Sequence, residues 1–131
     1  MKKIKWILLL GLFIAVTGFA KPVSPVEVAY ALIERVTPGY GDQFVLELIS
    51  AQEEEDVYEI SSKDGKVVLR GNNPVALATA FNQYLKYVCK VHISWLGDHL
   101  DLPEKLPLPS ETVRNTIHGK YLLKELIKDA I

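Results

Sequence analysis

The sequence predicts an α+β fold: a two-layer sandwich in which a mostly antiparallel sheet of about four strands carries two helices on one face, in the order α-β-β-β-α-β. Three observations predict it. Two segments, "SPVEVAYALIERV" and "NNPVALATAFNQYLKYVCK", place apolar residues at helical spacing behind a capping residue and a proline. Between them, two β-branched runs flank Asp64-Gly65, a strong hairpin signal. After the second helix, "VHISWL" (91–96) alternates apolar and polar residues. Each helix has one apolar face to bury, and a single sheet face covers both.

The chain opens "MKKIKWILLLGLFIAVTGFA". Lys2, Lys3 and Lys5 precede an apolar stretch from Trp6 to Val16, and Gly18 and Ala20 are the small residues a signal peptidase accepts. Residues 1–20 therefore read as a signal peptide cut after Ala20, which predicts a secreted or periplasmic protein with no membrane anchor after cleavage. The apolar run is short against the ~20 residues of a bilayer span. Removing the three lysines from 15 basic residues leaves 12 against 16 acidic ones, a net charge of about −4. That balance disfavours nucleic acid and anionic membrane as partners. The one cysteine, Cys89, cannot form an internal disulfide, so packing alone must hold a domain of about 110 residues.

In the first helix, Ser24 and Glu27 match a capping box and Pro25 fits the first helical position. Ala29, Leu32, Ile33 and Val36 form the apolar face, and Pro38-Gly39 ends it. "QFVLELIS" (43–50) reads as a strand, "EEED" (53–56) as a polar connector, and "VYEISS" and "KVVLRG" as the hairpin. Asn73 caps the second helix, whose stripe is Leu77, Phe81, Tyr84, Leu85 and Val88. Strand 91–96 puts Val91, Ile93 and Trp95 on one face and His92 and Ser94 on the other. The expected shared core is Leu32, Val36, Leu77, Phe81, Leu85, Val88 and Trp95. From Leu102 the proline-rich chain reads as an extended strap. The domain is expected over 21–109, with 110–131 a linker and tail whose last eleven residues, "YLLKELIKDAI", have an amphipathic helical pattern.

No catalytic constellation emerges from the residues themselves. His92, Asp98, His99 and Asp101 have a spacing that matches no zinc or calcium loop, so no metal and no cofactor is expected. His92, Ser94, Asp98 and His99 are instead expected to contact a neighbouring protein surface or a glycan. Cys89 ends the second helix beside its buried stripe and reads as a packed thiol. The "EEED" carboxylates read as solvated, and Gly71-Asn72-Asn73-Pro74 as a helix cap before an anion site. Glu47 and Glu59 lie well inside predicted strands and could be cross-strand neighbours.

One segment is more specific than its parts. "YLKYVC" (84–89) followed by "HISWLGDHLDLPEKLPLP" (92–109) resembles the amino-terminal domain of the alpha-N-acetylglucosaminidase family of glycoside hydrolases. The resemblance runs from the first helix to about Tyr121 and is strongest over 71–109. It implies a parent enzyme that removes terminal α-linked N-acetylglucosamine with retention. It also implies three parts: this α/β domain, a barrel bearing two catalytic glutamates, and a helical C-terminal domain. No catalytic residue of the family falls in the first part, so the chain itself is expected to be inert, with the barrel as its partner. After Lys120-Tyr121 the family continues into an aromatic-rich stretch, whereas here "LLKELIKDAI" follows. The resemblance therefore predicts a truncated or frameshifted accessory domain, and the alternative is a free-standing secreted carbohydrate-binding or protein-interaction module.

Overall fold

The structure, a computed structural model, describes residues 20–50, 55–94 and 97–117, with 92–94 and 97–99 described by backbone alone. Helix α1 (Pro25–Val36) begins where the sequence places it. The Ser24 hydroxyl accepts from the Glu27 amide at 3.1 Å, and the Glu27 carboxylate accepts from the Ser24 amide at 2.9 Å. Two otherwise unpaired donors of the first turn are thus satisfied. Thr37 closes the far end through its amide and hydroxyl, both donating to the Ile33 carbonyl.

The buried face of α1 is Ala29 and Ile33, with Val26, Tyr30 and Val36 packed beside them. Leu32, expected in the core, is only half-buried, because the helix is rolled toward Tyr30. The cause lies in strand β1 (Phe44–Leu48), which stands at the edge of the sheet. Its outward carbonyl and amide need partners. The Tyr30 hydroxyl supplies both, donating to the Phe44 carbonyl at 3.1 Å and accepting from the Leu46 amide at 3.3 Å.

Strands β2 (Asp56–Lys63) and β3 (Lys66–Gly71) form the predicted hairpin. Asp64 and Gly65 both adopt positive φ, 52° and 75°, the pair a two-residue primed turn requires. Strand β1 runs parallel to β3, with Phe44 opposite Val67 and Leu48 opposite Gly71. Helix α2 (Pro74–Tyr87) starts on Asn73, whose side-chain oxygen accepts from the Ala76 amide at 2.9 Å. It lies so close to β3 that a Cβ on Gly71 would come within 2.8 Å of the Leu77 nitrogen, which is why glycine stands there. Leu77, Phe81, Tyr84 and Leu85 are buried against the sheet as expected, and Val88 packs at the edge of the core.

The fourth strand comes from a different place than the sequence suggests. The main sheet has the order β1-β3-β2-β6, where β6 is Val113–Ile117, antiparallel to β2. Residues 92–94, expected to be its fourth strand, do not enter it. Strand β4 (His92–Ser94) instead folds back on β5 (Gly97–His99) as a separate antiparallel ladder. Segment 110–131, read as linker and tail, thus contributes an edge strand to the sheet, which stays largely antiparallel with both helices on one face. Trp95 and the last eleven residues lie outside the described residues. Among the described residues no helix is long and apolar enough to cross a membrane.

Candidate functional site

Two features carry chemistry beyond the core: a strap fastened by side chains, and a row of charges on the face of the sheet away from the helices. The strap, residues 100–109, has no regular structure, yet side chains from the 40–43 turn and from α2 hold its backbone. The Gln43 amide acts as a surrogate peptide, donating to the Glu104 carbonyl at 2.9 Å and accepting from the Leu106 amide at 2.8 Å. The Tyr40 hydroxyl reaches the Leu102 and Pro103 carbonyls at 3.3 and 3.1 Å. Tyr84, fully buried on α2, donates to the Pro107 carbonyl at 2.7 Å. Leu106 is buried in the core, and Leu100 and Leu102 pack against it. Prolines have no amide to satisfy, so carbonyls dominate the accounting, and hydroxyl and amide donors match them.

On the other face of the sheet, Glu47, Arg70, Glu59 and Arg114 stand in one cross-strand row, one residue from each of the four strands. Arg70 Nε donates to Glu47 at 2.6 Å and its terminal nitrogen to Glu59 at 2.7 Å, and Arg114 meets the other oxygen of Glu59 at 3.4 Å. The bonds to Glu47 and then Glu59 raise the Arg70 guanidinium above its ordinary value. Glu47 and Glu59 are therefore not direct cross-strand neighbours. A whole strand separates them, and one guanidinium bonds to both. A glycosidase needs one such group to be an acid and the other a nucleophile across a sugar. This row is a flat, compensated charge ladder.

The register brings the expected contact residues together in backbone terms. His92 stands opposite His99, Ile93 opposite Asp98 and Ser94 opposite Gly97. All four expected contact residues thus share one short hairpin, apart from the main sheet and not on its open face. Among the described residues no group of three metal-ligating side chains occurs. Asp56 is buried and receives the Asn73 amide at 2.6 Å, and Asn72 bridges the Val57 amide and the Glu55 carbonyl. The start of α2 is thus a closed cap. Cys89 is half-buried, and burial raises its thiol above the usual range, partly offset by a hydrogen bond with Tyr84. It has the character of a packed thiol. The residues the sequence reading missed are Tyr40, Gln43 and Arg114, which carry no local signal, and Arg70, which alternation within its strand does mark.

These features define a class: a two-layer α+β module whose side chains fasten its own chain and, among the described residues, assemble no enclosed catalytic centre. The chain belongs to the family of the alpha-N-acetylglucosaminidase N-terminal domain, whose model matches residues 27–108. Among solved structures it is similar to a family 89 glycoside hydrolase from Clostridium perfringens in complex with 2-acetamido-1,2-dideoxynojirmycin. The identity is 34%, the TM-score 0.67, and the match covers 72% of this chain and 11% of that one. A doubly Glu→Gln-substituted form in complex with its substrate GlcNAc-α-1,4-galactose matches equally, at 34% identity and a TM-score of 0.67. This chain therefore spans about a tenth of the length of the enzymes it resembles. A comparison with curated proteins returns no match.

Proposed function

We propose that this chain is a non-catalytic accessory domain of a secreted glycoside hydrolase, packing on a catalytic barrel that removes terminal α-linked N-acetylglucosamine. The observation that carries the reading is the state of Glu47 and Glu59. They lie on separate strands, on an open sheet face, joined through Arg70. Hydrolysis with retention needs two carboxyls ~5–5.5 Å apart flanking an enclosed sugar. The β4–β5 hairpin, with His92, Ser94, Asp98 and His99, is the proposed contact with that domain. Export rests on residues 1–20, and the secreted product should begin at Lys21.

The test is incubation of the purified chain with an aryl α-N-acetylglucosaminide beside a Glu47→Gln/Glu59→Gln double variant. No release above background is expected from either. Turnover by the parent chain that the double variant lacks would sink the reading.

A further inference from the structure

A groove of about 320 Å³ opens on the helix side of the sheet, between α2 and the edge strand β6. The pairing register builds one side of it. Tyr58 stands opposite Asn115 and Ile60 opposite Val113, so these four side chains share a face. Gln83 and Tyr87, one helical turn apart on α2, line the other side. Its described lining combines apolar surface with hydroxyl and amide groups and has no charged side chain. Tyr58 is only 6% exposed, yet its hydroxyl makes no hydrogen bond among the described residues. No buried side-chain nitrogen or oxygen among those residues lacks a partner, so the hydroxyl is the part of Tyr58 that meets the groove. Phenylalanine would fill the same space in the core, and the fold itself makes no use of the oxygen. The Gln83 amide is unengaged in the same way, and the Asn115 side chain uses only its oxygen, which accepts from the Thr116 amide at 2.9 Å. Both side-chain NH2 groups remain as donors.

We infer that this groove is a binding site for a neutral sugar residue. Three features select that class of ligand. Size is the first: the volume lies at the small end of the range for small-molecule sites, roughly 300–1,000 Å³, which suits one or two sugar rings. The polar set is the second. A phenol hydroxyl that gives and takes, with two amide NH2 groups that give, matches adjacent ring hydroxyls or an acetamido carbonyl. No cation lines the groove to meet a carboxylate, phosphate or sulfate, so a charged ligand would lose water there without a partner. The aromatic wall is the third. Tyr87 is 59% exposed, and the Lys86 ammonium, 5.2 Å from the ring centroid, covers one of its faces. The second face is left for the C–H side of a pyranose, whose weakly positive hydrogens meet the negative face of the ring. Ile60 and Val113 add apolar surface beside it for the rest of that side. The inference stands on this groove alone and holds whether or not the domain packs on a barrel.

The test is a titration of the isotope-labelled full chain with methyl α-N-acetylglucosaminide and, separately, with methyl α-glucoside, read by backbone and side-chain amide shifts. Saturable shifts are expected at Gln83, Tyr87, Val113 and Asn115 with at least one of the two, and not around Arg70 on the open face. Glucuronate, the charged control, should bind more weakly by a factor of about five or more. Tyr58→Phe should weaken binding about tenfold, the equivalent of one hydrogen bond, while the melting temperature stays where it was. Tyr87→Ala, a change at an exposed position, should remove saturable binding and leave the shifts of β1 and β3 in place. Shifts that do not saturate, that fall outside the groove, or that survive both Tyr58→Phe and Tyr87→Ala would each overturn the inference. Glucuronate binding as tightly as the neutral glycosides would overturn it too. None of these outcomes bears on the accessory-domain reading, which is tested by turnover.

Discussion

At the scale of single residues, the aromatic cluster sets the stability of the domain. Phe44 meets Phe81 and Tyr84 edge-to-face, with centroids 5.6 and 5.5 Å apart. Phe81→Ala removes one of these pairs and opens a cavity between layers, so unfolding free energy should fall by ~3–5 kcal/mol. A loss under ~1 kcal/mol in denaturant titration would mean the site collapses around the gap. Tyr84 and Cys89 make a second prediction, on pH. Burial raises both groups, and their mutual hydrogen bond raises Tyr84 further. Below the unfolded-state values of 9.0 and 10.0 both states keep these protons, so the contribution is fully present. Above them the unfolded chain releases protons that the folded chain still holds, and stability falls as pH rises. Melting temperature should therefore drop from about pH 9 upward, and Tyr84→Phe should flatten that drop while starting from a lower value. An equally steep alkaline decline in Tyr84→Phe would show that Tyr84 is not the group responsible.

At the scale of elements, what was legible in the sequence is what local chemistry decides. The capping box at Ser24, the Asn73 cap and the Asp64-Gly65 turn are settled within four or five residues, and the structure has each in place. What tertiary contacts decide was less legible. Leu32 gives way to Ile33 because Tyr30 reaches an edge strand 14 residues away. Strand β6, "VRNTI", is polar and mostly exposed, so alternation does not mark it, and only its pairing with β2 makes it a strand. The strap is the extreme case, since its conformation is written in Gln43 and Tyr40, about 60 residues earlier. Gln43→Ala removes two hydrogen bonds at once and leaves the buried Leu106 end unanchored. Stability should fall by ~1–3 kcal/mol, with amide exchange at Leu106 speeding up before that of α2. Unchanged exchange at Leu106 would show that the leucine side chain alone fixes the strap.

At the scale of the whole molecule, the two faces of the sheet hold together by different physics. The helix side is apolar. The open side carries the Glu47–Arg70–Glu59–Arg114 row, which ties all four strands together across the register. Glu59 is the most sheltered member, its side chain 13% exposed, while Arg70 and Glu47 are in good contact with water at 31% and 48%. Solvent screening therefore keeps the Arg70–Glu47 pair near the surface value of ~0–1 kcal/mol. The larger consequence of losing Arg70 falls on Glu59, which would keep only the longer contact to Arg114. Arg70→Met keeps an unbranched aliphatic side chain and removes the charge, so it should cost about 1–2 kcal/mol at neutral pH and low salt. Two carboxylates on β1 and β2 would then repel across an uncharged strand. The deficit should shrink in ~1 M salt, where the Debye length is about 3 Å. Denaturant titration of both proteins, across a range of salt, separates this from lost packing. A deficit that stays constant in salt would assign Arg70 to packing, and the row of charges would then contribute nothing to holding the four strands in register.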